Sequence, residues 1–217
     1  MLALISKDLS LNKTPILGLS LLYLGGIIFL TTLEDFYFSL GLNLIIHISL
    51  FINIISRFFY QDEKDSNLKF LLGLPLTRKK LVFSRYFLAF MLTIFFPLLG
   101  LGFNFLVLQL GVKKFLFNPH LTLLISSFLL ITGCFILPFL FKNPYREGYI
   151  TSFFLLVIFL FNPLSLKEFS NHIFDLQFFF QTGLKPVLFT GIYFILLISF
   201  YLSCRTAFLF FQKRSLF

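Results

Sequence analysis

Three carboxylates, Asp62, Glu63 and Asp65, fall within one stretch of four residues. Such a cluster has the oxygen ligands a divalent cation needs. No histidine or cysteine lies close by, however, and the stretch reads as a flexible turn, so a metal site is not supported. His47, His120 and His172 are far apart in the chain. Cys134 and Cys204 both sit inside apolar runs and read as small packing residues rather than as a redox or metal pair. The sequence contains no GxxxxGK[ST], no HExxH and no C-x-x-C. It therefore lacks a phosphate-binding loop of its own and shows no catalytic set. No cofactor is expected on this chain.

The other polar residues with a suggestive spacing lie inside apolar segments. Asn43 and His47 share a helix face at i, i+4, while Ser49, Asn53 and Ser56 share another. Asn104 and Gln109 lie further along. In a membrane such residues avoid lipid and face other helices or a water path. Interhelical packing is one reading. A lining for a translocation path or a dimer seam is the other, with Asn43, His47, Asn53, Asn104 and Gln109 as its candidates.

The elements that must position these residues are membrane helices. The chain has 217 residues, 58% of them hydrophobic and 20% aromatic, and a mean hydropathy of +0.94. One soluble core could not hide that much apolar surface. Several runs of about 20 residues are nearly free of charge, long enough to cross ~30 Å of hydrocarbon. With no linker or low-complexity segment, residues 1–217 read as a single all-α transmembrane domain.

Residues 1–13 are amphipathic and too polar to span, which predicts an N-terminal interfacial helix rather than a cleavable leader. Thr14 and Pro15 read as the cap and first position of a first span over 15–33. A second span is expected over 36–56, ending in Arg57, followed by a polar insert over 57–80. A third span over about 81–110 contains Pro97, Gly100 and Gly102, which favour a bend. A fourth runs from Asn118–Pro119 to Phe141. Residues 149–161 are apolar but short, so the limits of span five are open. Residues 162–186 mix polar and phenylalanine residues, and a pair of re-entrant helices before span six fits them better than a free loop. Span six covers about 187–204, and its helix can continue past Arg205 into "QKRSLF".

Six spans put both termini on one side of the membrane. If that side is the cytoplasm, 14 of the 18 Lys and Arg residues lie inside and 4 outside, while the nine acids divide five and four. The positive-inside rule then favours cytoplasmic termini. The net charge of +9 therefore points to anionic lipid and not to nucleic acid, because the basic residues are not gathered on a soluble module.

The polar insert has its own pattern. Leu68, Leu71 and Leu72 fall on one face of a short helix, and Asp65 and Lys69 stand at i, i+4 in the supportive order. Gly73 and Pro75 end that helix, and Thr77 can cap the next. Arg78, Lys79 and Lys80 follow immediately. Cations there oppose the helix dipole by ~0.3–1 kcal/mol each. Anionic lipid returns about 1 kcal/mol per basic residue, so lipid anchoring alone can justify the cluster.

The stretch "DEKDSNLKFLLGLPLTRKKLVFSRYFLAF" resembles the segment after the second span in permease subunits of bacterial type-2 ABC exporters. Those show an acidic start, a short helix, an SLP(V/I)(S/T)R turn and a basic residue entering the third span. Here the turn is "GLPLTR", with Gly73 where serine is common. The closing "CRTAFLFFQKRSLF" is similar to the family's C-terminus, with Ser215 in place of an acid. The resemblance implies a cytoplasmic coupling helix between spans two and three, seated on an ATPase subunit. Asp62, Glu63, Asp65, Leu68, Lys69, Leu71, Leu72, Pro75 and Arg78 would carry that contact. It further implies two ATPase copies holding ATP and Mg, a second permease subunit (identical or a sister chain), and a place in the bacterial inner membrane. An amphipathic peptide, lipid or drug would suit the phenylalanine-rich outer half as substrate. The competing reading is a membrane-embedded enzyme, or a stand-alone immunity or binding protein with no ATPase.

Overall fold

The computed structural model describes residues 2–32, 36–64, 77–109, 119–142, 150 and 185–213. Among these it is built of helices: α1 (Leu2–Leu11), α2 (Lys13–Thr32), α3 (Phe36–Lys64), α4 (Arg78–Gln109), α5 (Pro119–Lys142) and α6 (Lys185–Lys213). Four stretches are long and apolar enough to cross a membrane: Leu42–Asp62, Arg78–Phe103, Ile125–Lys142 and Tyr193–Lys213. The apolar part of α2, Lys13–Phe29, is shorter. The expected span five, apart from Ile150, and the re-entrant helices lie outside the described residues, as do residues 65–76 of the insert.

Two boundaries differ from the sequence reading. The helix of span two does not stop at Arg57 but runs on to Lys64. Its extra turns bury Phe58 and Phe59 in the core, and the charge they carry inward is met by a partner, described below. The first span begins at Lys13, not at a Thr14 cap. The Asn12 carbonyl accepts from the Ile16 amide at 2.9 Å. Pro15 thus sits in the first helical turn, where its missing N–H leaves no bond unmade. Thr77 does cap α4: its hydroxyl and carbonyl receive the Lys80 amide at 3.4 and 2.9 Å.

Helix α3 is the most enclosed span and packs on α2, α4 and α5, while α6 leans on α5 and α4. The α2–α3 contact is close at Gly26, where an added Cβ would lie 3.2 Å from the end of the Ile46 side chain. Gly133 of α5 faces Phe51 of α3 and Phe200 of α6. At one end of the bundle Phe59, Phe141 and Phe211 make edge-to-face contacts that join α3, α5 and α6. Helices α5 and α6 run parallel: the Tyr193 hydroxyl meets the Leu123 carbonyl, Ser203 meets Cys134, and Lys142 lies over the Phe210 ring.

A proline sits inside each of α4 and α5, Pro97 and Pro138. Pro138 has no N–H for the carbonyl four residues earlier, that of Cys134. The Ser203 hydroxyl of α6 donates to that carbonyl at 2.7 Å. With its hydrogen so committed, Ser203 Oγ accepts from the Tyr86 hydroxyl of α4 at 2.8 Å. One relay therefore pins three helices at the place where the proline opened one of them. Ser203→Ala should destabilise the protein by about 1 kcal/mol, read as a lower unfolding midpoint in detergent. Pro138→Ala restores the amide, so the same serine change made in that background should cost clearly less. Equal costs in the two backgrounds would show that the proline is not the reason for the bond.

Candidate functional site

The carboxylates singled out in the sequence separate in the structure. Asp62 is not in a flexible turn: it lies in the last turns of α3, 4% exposed. Its Oδ2 accepts from the Arg85 guanidinium of α4, which is equally buried. The Arg85 cation also stands over the rings of Phe58 and Phe59, 5.5 and 5.9 Å from their centroids. Lys7 of α1, partly exposed, brings its Nζ to 3.8 Å from Asp62 Oδ1. Helix α1, the end of α3 and the start of α4 are thus joined through one carboxylate. Arg85 lies two turns into α4 with its stem leaning back toward the helix N-terminus, the direction that brings its head to Asp62.

Arg78 stands at the first position of α4 and turns to another helix. Its Nη1 donates to the carbonyls of Phe211 and Gln212, at 3.3 and 3.0 Å, and the guanidinium lies over the Phe211 ring. Those carbonyls belong to the last turn of α6, where helix carbonyls lack amide partners and a cation is favoured. Lys79 and Lys80 remain exposed. Of the other residues expected at an ATPase contact, Glu63 is in α3 but its side chain is not described. Asp65, Leu68, Lys69, Leu71, Leu72 and Pro75 lie outside the described residues.

The intramembrane candidates divide as well. His47 and Asn43 are both buried on the face of α3 that meets α2. His47 Nδ1 donates to the Asn43 carbonyl at 2.9 Å, leaving Nε2 to accept from the Tyr23 hydroxyl of α2 at 2.7 Å. The Phe96 carbonyl of α4 is 3.1 Å from the same hydroxyl, so two acceptors on two helices share one hydrogen. The Tyr23 and His47 rings meet edge to face. Among the described residues the Asn43 side-chain amide, 1% exposed, has no hydrogen-bond partner on either atom. Asn53 donates to the Ser49 carbonyl and Ser56 to the Asn53 carbonyl, so that row satisfies itself along its own helix. Gln109 is exposed at the end of α4, and the Asn104 side chain is not described. Tyr23, a buried tyrosine in an apolar helix, was missed in the sequence reading. Only its phenol, which a buried site has to pair, hinted at it.

Among the described residues the structure is a bundle of apolar helices with its ion pairs gathered at one end. Residues 3–211 match the ABC-2 family transporter protein family, and the chain belongs to that family. It is a multi-pass membrane protein and the permease component of an ABC transporter; such permeases generally work with an ABC ATPase. No curated protein and no solved structure matches the chain.

The Asp62–Arg85 pair carries a direct test. Removing Asp62 leaves the buried Arg85 charge without its carboxylate, and removing Arg85 leaves Asp62 with the longer contact to partly exposed Lys7, so Asp62→Leu or Arg85→Leu should cost about 3–5 kcal/mol. The double change Asp62→Leu/Arg85→Leu should recover most of that loss. Thermal unfolding of the three variants in detergent reads the cycle, and simple additivity would mean that the two charges do not act on one another.

Proposed function

We propose that this chain forms, with a second permease subunit, the translocation path of an ATP-driven exporter. Residues 62–76 receive movement from two cytoplasmic ATPase subunits, which hold ATP and Mg. The observation that carries the reading is the Asp62–Arg85 pair. It clasps α3 and α4 just where the chain leaves one for the insert and returns into the other. A segment rooted in two helices tied by a buried charge pair can pass a push to both; a slack loop would absorb it. Arg78 extends the tie to α6.

The parallel run of α5 and α6 supports six spans. Lys142 and Lys185 lie at opposite ends of the bundle, which fits the fifth span expected between them in the sequence. With that span the crossings would number six, in keeping with α1 and the end of α6 lying at one end. The same end gathers the bulk of the basic residues, which supports a cytoplasmic position for it in a bacterial inner membrane. Amphipathic peptides, lipids or drugs suit the phenylalanine-rich outer half as substrates.

Replacing Leu71 and Leu72 by Asp puts two charges on the apolar face of the insert without touching a span. Membrane insertion should stay intact while co-purification of the ATPase is lost. ATPase association at the wild-type level, or a chain that transports with no ATPase bound, would end the proposal.

A further inference from the structure

Helix α6 carries a cation in a place that its neighbours do not explain. Arg205 lies eight residues before Lys213, the last described residue of the helix, which is ~12 Å along the axis. It belongs to the apolar window Tyr193–Lys213, of which only 22% is buried. Arg205 is exposed. On the same surface stand Tyr201, 69% exposed, Leu202, 52%, and Leu209, 48%. Among the described residues it has no hydrogen-bonding or ionic partner, and the buried carboxylate at that end, Asp62, is held by Arg85 and Lys7.

The helix direction sharpens the point. Side chains lean toward the N-terminus of their own helix, and on α6 that is toward the middle of the membrane. Arg78 and Arg85, on a helix running the other way, lean toward the charged end. The Arg205 stem leans away from it, over the turn that bears Tyr201. To reach bulk water its guanidinium would have to turn against that lean, whereas a counter-charge at its own depth meets it where it stands.

We infer that Arg205 and Tyr201 hold the phosphate of an anionic lipid of the leaflet at the basic end. Guanidinium offers paired donors in the geometry a phosphate accepts, and the Tyr201 hydroxyl, one turn away, supplies a third. Ile198, Leu202 and Leu209 form the aliphatic surface beside them along which acyl chains lie. A protein partner would have to bring a carboxylate into that apolar surface. A lipid brings its phosphate at the right depth together with chains that match the surface.

The test uses the full chain reconstituted in phosphatidylcholine bilayers containing a minority of phosphatidylglycerol, extracted gently, with retained lipid counted by mass spectrometry. Wild type should retain phosphatidylglycerol in preference to phosphatidylcholine. Arg205→Gln should lower that preference roughly tenfold, the scale of a charge-assisted hydrogen bond. Lys13→Gln removes the same charge from the same end at an exposed position outside the Arg78–Lys80 cluster and should change it less than twofold. Equal retention of the two lipids by wild type, or an equal loss in both variants, would overturn the site. Leu209→Cys in a Cys134→Ser/Cys204→Ser background tests for a second copy on this face. It should give no disulfide-linked dimer under mild oxidation, and a dimer would overturn the lipid assignment.

Discussion

Hydrocarbon offers no hydrogen bonds, so every polar group placed within it must be met from inside the protein. Much of this bundle's architecture can be traced to that constraint. Pro138 breaks the pairing of one helix, and the released Cys134 carbonyl becomes the anchor for Ser203 and, through it, Tyr86. A local defect in α5 thereby becomes the bond that fixes α4 and α6 against it. The Tyr23 phenol does the same for α2, α3 and α4 by standing between His47 and the Phe96 carbonyl. Many serines and threonines take the opposite course and donate to a carbonyl three or four residues back, as Ser20, Ser84, Thr93 and Thr132 do. Those residues are silent between helices. Specific contact between spans is therefore left to a few hydroxyls whose partners lie on another helix.

The charged end obeys the same rule at higher stakes. A buried ion pair is weak evidence for stability, since the desolvation of both groups offsets most of their attraction. Its value lies in specificity: Asp62 can be buried only where Arg85 is, so α3 and α4 have one register at this end. The Phe58 and Phe59 rings support the cation from the side and exclude water from the pair. Lys7 then makes the position of α1 depend on the same carboxylate. Three elements that the chain enters separately are referred to one buried atom group, beside the segment where force is proposed to enter.

Much of this was legible in the sequence. The apolar runs and their charged breaks give the helices, and Thr77 placed its cap, because length and charge are the quantities a membrane selects. The i, i+4 pairing of Asn43 and His47 correctly predicted a shared buried face. The end of α3 was missed for a physical reason. Arg57, Asp62, Glu63 and Lys64 look like the start of a loop when charges are counted singly. Asp62 is neutralised by a residue 23 positions later, and no local window contains both. Tyr23 and Ser203 were missed for a similar reason: a phenol or hydroxyl in an apolar run means little until the acceptor on another helix is known. Arg78 was read as part of a basic cluster and, by the resemblance, as an ATPase contact; the structure turns it to the carbonyls at the end of α6.

That last bond bears on how α6 stays in place. With so little of its apolar window buried, α6 cannot owe its position to contact area alone. Lipid tails are as apolar as leucine, so side-chain burial gives little preference for protein over bilayer. What holds the helix is a series of polar ties at successive depths: Tyr193 to the Leu123 carbonyl, Ser203 to the Cys134 carbonyl, and the Phe211 and Gln212 carbonyls to Arg78. Each tie uses a backbone carbonyl on one side, so each fixes the helix axis and not just a side chain. A helix fastened in this way can leave most of its surface to lipid without losing its register. The tie at its last turn is made to the first residue of α4, so any displacement of the α4 start acts on α6 directly, without first having to pass through the packed core.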